Sequence, residues 1–241
     1  VTTLTLTTSG ASTLNEKNAL TVSAATVGGA FALTTGGATT LQTVTATGTV
    51  NVNVSAGDLT VGNLTGGGSV SLTTAQSGGN LSIASLTAAD QAVTLSSQGA
   101  VLDGDSTPDS VDITAGSLTI TAASVGISTN ALDTDVTTLT LTTSGASTLN
   151  EKNALTVSSA TVGELRLSTG GETTLQTVVA TGTVNVNVSA GDLRVASVTT
   201  TQSVTLTTAG AVVDGDSAPD SVDITAGSLT ITAASVGIST N

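Results

Sequence analysis

The residues of this chain best suited to chemistry are carboxylates gathered in two near-identical stretches. "DGDSTPDSVD" at 103–112 holds Asp103, Asp105, Asp109 and Asp112, and "DGDSAPDSVD" at 214–223 holds Asp214, Asp216, Asp220 and Asp223. Oxygen ligands at this density suit weak binding of Ca²⁺, a hard cation that is abundant outside cells. The spacing is not that of an EF-hand, because no bidentate Glu closes the loop. The competing reading is a solvated acidic corner whose charge resists edge-to-edge association. "ALDTD" at 131–135 adds Asp133 and Asp135, with the same two readings open.

Little else could react. The chain has no His, Cys or Tyr, so no ready general base or thiolate exists to activate its many hydroxyls. Polysaccharide-cleaving sites that pair clustered Asp with Arg or Lys find no match, since no basic residue adjoins the acidic loops in sequence. No catalytic residue is assigned, and the chain is expected not to be an enzyme. Weak Ca²⁺ is the one cofactor considered.

A second unusual stretch is "NEKN", at Asn15, Glu16, Lys17 and Asn18 and again at Asn150, Glu151, Lys152 and Asn153. It falls in long rungs of the pattern described below and is expected to bulge outward. It then offers either a lateral contact with a neighbouring molecule or a solvated loop.

Charge narrows the partners. Four basic residues stand against 17 acidic ones, a net charge of −13. Nucleic acid and anionic membrane both call for clustered Lys and Arg, so neither is expected. No apolar run is long enough for a membrane-spanning helix. Without an initiating Met or a signal segment, the sequence reads as a piece of something longer.

The elements that position these residues show themselves as repeats. "VTTLTLTTSGASTLNEKNALTV" occupies 1–22 and returns at 136–157, an offset of 135. "NVNVSAGDL" at 51–59 returns at 185–193, an offset of 134, whereas "DGDS" at 103 returns at 214, an offset of 111. The second copy has therefore lost 23 residues. Inside each copy runs a finer ladder of apolar–x–apolar pairs followed by Thr or Ser and a Gly turn. Its first members are Leu4, Phe31, Val50, Val70, Val93, Val111, Leu139, Leu165, Val184, Val204 and Val222. The step from Val70 to Val93 equals the missing piece, so one whole rung is absent and the pattern resumes in phase. A solenoid tolerates this because each layer touches only its neighbours.

Alternation as in Val50-Asn51-Val52-Asn53-Val54 puts aliphatics on one face and small polar residues on the other. Rungs of about 20 residues contain three such strands, with Gly and Asn at the corners. The fold expected is all-β: a single-stranded parallel β-helix solenoid of about eleven coils. Residues 1–135 form a first repeat of about six coils and 136–241 a second of about five, in one continuous rod. An antiparallel β-sandwich is the alternative.

The rungs "AGDLTVGNLTGGGSVSLTT" (56–74), "GGNLSIASLTA" (78–88) and "AGSLTITAASV" (115–125) resemble those of filamentous haemagglutinin-type exoproteins, the large secreted bacterial adhesins. The resemblance covers nearly the whole chain. It implies a right-handed parallel β-helix forming a fibre, exported through an outer-membrane partner and displayed at the bacterial surface or released. The expected function is a structural segment of such a fibre or adhesin stalk. It would self-associate head-to-tail or laterally, and any host contact would lie in parts outside this chain. One rival is an ice-binding β-helix, although Asp112, Asp223 and Arg166 interrupt the outward rank of the ladder. The other is a carbohydrate- or receptor-binding rod, which lacks aromatic stacking platforms.

Overall fold

The computed structural model describes residues 1–105, 110–216 and 221–238. Among these residues there are 27 strands and no helix. Every ladder between strands is parallel. One isolated antiparallel bridge, Ile127 to Asn130, closes a tight turn. Hairpin-paired sandwich sheets are thereby excluded, and the chain is a β-solenoid of about eleven turns. At roughly 4.8 Å per layer its axis is roughly 50 Å long.

Alternation decides which side chains enter the core. Val50, Val52 and Val54 are buried while Asn51 and Asn53 are exposed. Phe31, Val50, Val70, Val93, Leu118, Leu139 and Val157 stack directly upon one another through seven consecutive layers. Burying a side chain of this kind contributes about 1.5–3 kcal/mol, and the stack repeats that gain in every layer.

This register corrects the ladder read from sequence. Leu118, not Val111, lies between Val93 and Leu139. Leu229, not Val222, lies on Val204, and Val222 is 47% exposed. The V-x-I spacing of Val111 and Ile113 imitates a rung, but Ile113 stacks on Leu86 on another face. Leu4 likewise stacks on Val22, whereas Phe31 rests on Ser12. Coils therefore run from 17 residues (Leu132 to Leu149) to 27 (Leu86 to Ile113).

The 23-residue deletion is accommodated as expected. Val50, Val70 and Val93 occupy successive layers in the first copy. In the second copy Val184, the counterpart of Val50, is followed directly by Val204, the counterpart of Val93.

Corners are held by a hydroxyl clip. At several corners the last Thr of the strand turns inward and meets a hydroxyl four residues on. Thr35 and Thr39 lie 2.6 Å apart, so one hydroxyl donates to the other and the second donates to the carbonyl of Gly37, within 3.2 Å of both. Thr169 and Thr173 repeat this around Gly171, and Thr143 with Ser147 around Gly145. The clip lets a buried strand end on a polar residue whose hydrogen bonds are made. At the matching corners Gly57 and Gly191 take φ of +85° and +86°, a left-handed backbone that favours glycine.

The two copies are not stacked face upon face. In the first, one side of the rod carries two short strand stacks, typified by Leu59–Val61 and Leu64, and the other side one longer stack, Val70–Thr74. In the second copy these sides exchange. The long first-copy stack continues upward into the split pair headed by Val157 and Ala160. The first-copy split pair, through Val125 and Thr134, continues into the unsplit strand Ala146–Glu151. The exchange occurs within the repeated stretch 136–157, whose strand partner shifts by one residue between Leu139 and Thr140.

Candidate functional site

The first acidic loop joins the strand Ala100–Asp103 to the strand Ile113–Ala122. Asp103 ends the former, half-buried, and its Oδ1 accepts the backbone N–H of Asp105 at 2.8 Å. Asp112 immediately precedes the latter and is only 1% exposed. Stacking Ile113 on Leu86 below and under Thr134 above forces this burial. Asp112 and Asp133 then lie one above the other in neighbouring coils. The backbone N–H of Asp112 donates to the carbonyl of Asp133 at 2.9 Å. The N–H of Asp133 donates back to Oδ2 of Asp112 at 2.9 Å. Carboxylate oxygens of Asp103, Asp112 and Asp133 all lie within 4.8 Å of one another.

Burial, and after it the negative charges of Asp103, Asp133 and Asp105, pushes the Asp112 carboxyl up to about 8. Only the Asp133 N–H works against this rise. Oδ1 of Asp112 has no hydrogen-bond partner among the described residues. Asp112 was expected to face outward, and the structure corrects this: the loop turns it toward the body of the rod. Asp133, read as part of a joint, is 8% exposed and belongs to the cluster. Its counterpart signal in sequence was slight, since only the register shows that it lies above Asp112.

The second loop is built differently. Asp214 and Asp216 are exposed, Asp223 is 1% exposed, and the three again form a group within 4.8 Å. All three belong to one loop. The loops also emerge on different sides. Asp103 crowns the stack of Val61 and Ile83, whereas Asp214 crowns that of Leu139, Val157, Leu175 and Val195. Asp109 and Asp220 lie outside the described residues.

The "NEKN" stretches do not bulge. Glu16 ends the strand Ser12–Glu16 and Glu151 ends the strand Ala146–Glu151, because the coils containing them are short. Glu151 is 3% exposed. Its Oε2 accepts the Thr134 hydroxyl at 2.8 Å and the Val136 N–H at 3.0 Å, and its Oε1 the Asn153 N–H at 3.1 Å. Burial holds its carboxyl above the ordinary range, with Asp135 adding to the rise. Glu16 is half-buried and accepts from Asn18 and from the amino group of Val1. Asn15, Lys17, Asn18, Lys152 and Asn153 are exposed and Asn150 half-buried. Lys152 and Asn153 both reach Asp135 of the coil below.

Sequence reasoning missed a set of coordinated charges. Glu164, Arg166, Glu172 and Arg194 replace Ala30, Ala32, Ala38 and Thr60 of the first copy. They arrive as two ion pairs, Arg166–Glu164 at 2.9 Å and Arg194–Glu172 at 2.6 Å. The signal available was the arrival of two acids with two bases at once. No family model, curated protein or solved structure matches the chain.

Proposed function

We propose that the chain is a structural segment of an extracellular fibre or adhesin stalk at the bacterial surface, without catalysis, polymeric or part of a longer tandem array. The observation that carries this reading is the interchangeability of coils. A layer present in one copy is absent from the other, and the parallel ladder closes without a break. Such a body gains reach by adding layers at constant cross-section, with stability roughly a sum over layers. The likeness of its rungs to those of haemagglutinin-type exoproteins supports the surface setting. Self-association is head-to-tail, coil on coil, or lateral between rods. Cryo-electron microscopy of the native assembly tests this: rods or filaments are expected, and isolated compact particles at high concentration overturn it.

A second reading gains from the corrected register. On the unsplit side of the first copy, continued into the first strand of the second, the outward pairs are Ser71 and Thr73, Thr94 and Ser96, Thr119 and Thr121, Thr140 and Thr142. Thr119 stands where Asp112 had been expected, so four successive coils present hydroxyls alone at these positions. Their spacing is about 6.7 Å along the strand and about 4.8 Å between coils. A flat lattice of this kind suits an ordered water surface, and ice binding is the alternative function. A thermal hysteresis measurement decides: activity lost in Thr119→Asp supports it, and none in the unaltered chain removes it.

A further inference from the structure

We infer that Asp103, Asp112 and Asp133 form a binding site for Ca²⁺ that clamps two consecutive coils of the first copy. Two observations independent of each other point there. The first is geometric. Three oxygens no more than 4.8 Å apart can all lie roughly 2.8 Å or less from a common point, close to the calcium–oxygen distance of about 2.3–2.6 Å. Small rotations of Asp103, half-buried at its strand end, close the remainder.

The second is the state of Asp112. A carboxyl that is 1% exposed, with Oδ1 unpartnered and two further carboxylates beside it, is a costly arrangement. Buried polar groups are ordinarily hydrogen-bonded, and buried charges are paired or hold metal. Among the described residues the cations nearest in sequence to the loop do not serve it: Lys152 pairs with Asp135. A bound divalent ion supplies the missing partner for Oδ1 and offsets the mutual repulsion of three carboxylates. Water completes the six to eight oxygens that calcium takes.

Asp103 and Asp112 come from one coil and Asp133 from the next, so the ion ties layers that are otherwise joined by backbone bonds. Exposed acidic corners lack this property. In the second loop all three carboxylates come from one segment, and two are exposed. The inference does not rest on the fibre reading, since a coil clamp serves any solenoid.

Calorimetric titration of the 241-residue chain with CaCl₂, after removal of metal with a chelator, tests the site. Asp112→Asn is expected to remove about one bound ion per chain, with affinity in the range of about 10⁻⁴–10⁻³ M typical of extracellular sites. Ca²⁺ at ten times that Kd is expected to raise the Tm of the unaltered chain by about 3 °C, and this shift disappears in the variant. In chelator, Asp112→Asn should unfold at or above the temperature of the unaltered chain, because Asn keeps an acceptor for the Asp133 N–H and removes a buried acid. Should Asp112→Asn fail to fold, Asp103→Asn gives the same reading. Equal ion counts in variant and unaltered chain, no binding at millimolar Ca²⁺, or binding of Mg²⁺ in place of Ca²⁺ each overturn the assignment.

Discussion

Glu16 and Glu151 sit in identical 22-residue surroundings of sequence and in different surroundings in space. Glu151 is sealed against the coil below and answers three donors, while Glu16 is half-buried. Glu151→Ala leaves buried donors unsatisfied, at about 1–3 kcal/mol for each. A loss of at least about 2 kcal/mol in urea unfolding is therefore expected, against about 0.5 kcal/mol or less for Glu16→Ala in the same 241-residue chain. The acid of Glu151 is raised by burial, so the folded state holds its proton more tightly than the unfolded state. Its contribution is fully present below the ordinary glutamic acid range and is lost as pH rises through the raised folded value. Glu151→Gln should flatten that part of the stability–pH profile, and an unchanged slope would assign it elsewhere. The letters could not separate the twins, because burial here is set by the neighbouring coil rather than by adjacent residues. Leu141, fully buried, is the plainer case: its alternation with Thr140 and Thr142 marked it as core from the outset. Leu141→Ala should cost about 2–5 kcal/mol.

Strands and corners were readable because their signals are local. Val50–Val54 alternates, "VSAG" and "TTGG" turn, and the parallel order follows from repeat length. Register was harder, since Val111-x-Ile113 and Leu118-x-Ile120 satisfy the same pattern and only backbone pairing selects the second. The error mattered, because it pushed Asp112 outward and hid its neighbour Asp133. Layers as units make a strong claim that the second copy already illustrates. Deleting 70–92 removes one layer, and the chain should refold cooperatively with unchanged β-type circular dichroism. Deleting 70–81 puts Ser82 and Ala84 opposite Val50 and Val52 and Leu95 out of phase with its column, and loss of the cooperative transition is expected. Equal behaviour of the two deletions would contradict a layer-by-layer core. The paired arrival of Glu164 with Arg166 and Glu172 with Arg194 fits the same picture. Exposed ion pairs add little stability, but each acid is answered within its own or the next layer.

For the molecule as a whole, the exchange of sides at 136–157 fixes where the acidic loops point. They are separated by about five layers, roughly 25 Å along the axis, and they leave the rod on different sides. Spin labels at Ser110→Cys and Ser221→Cys should report a distance above that axial value, because the offset across the rod adds to it at right angles. A distance near roughly 25 Å would mean that both loops share one side. This exchange was invisible in the sequence, where the second copy looks like a continuation of the first. It also governs shape. A solenoid bends when one side takes more room per layer than the other, and small rotations accumulate into an arc. Here the side with two short stacks in one copy carries the single stack in the next, so a difference in room per layer between the two kinds of side changes sign from one copy to the next.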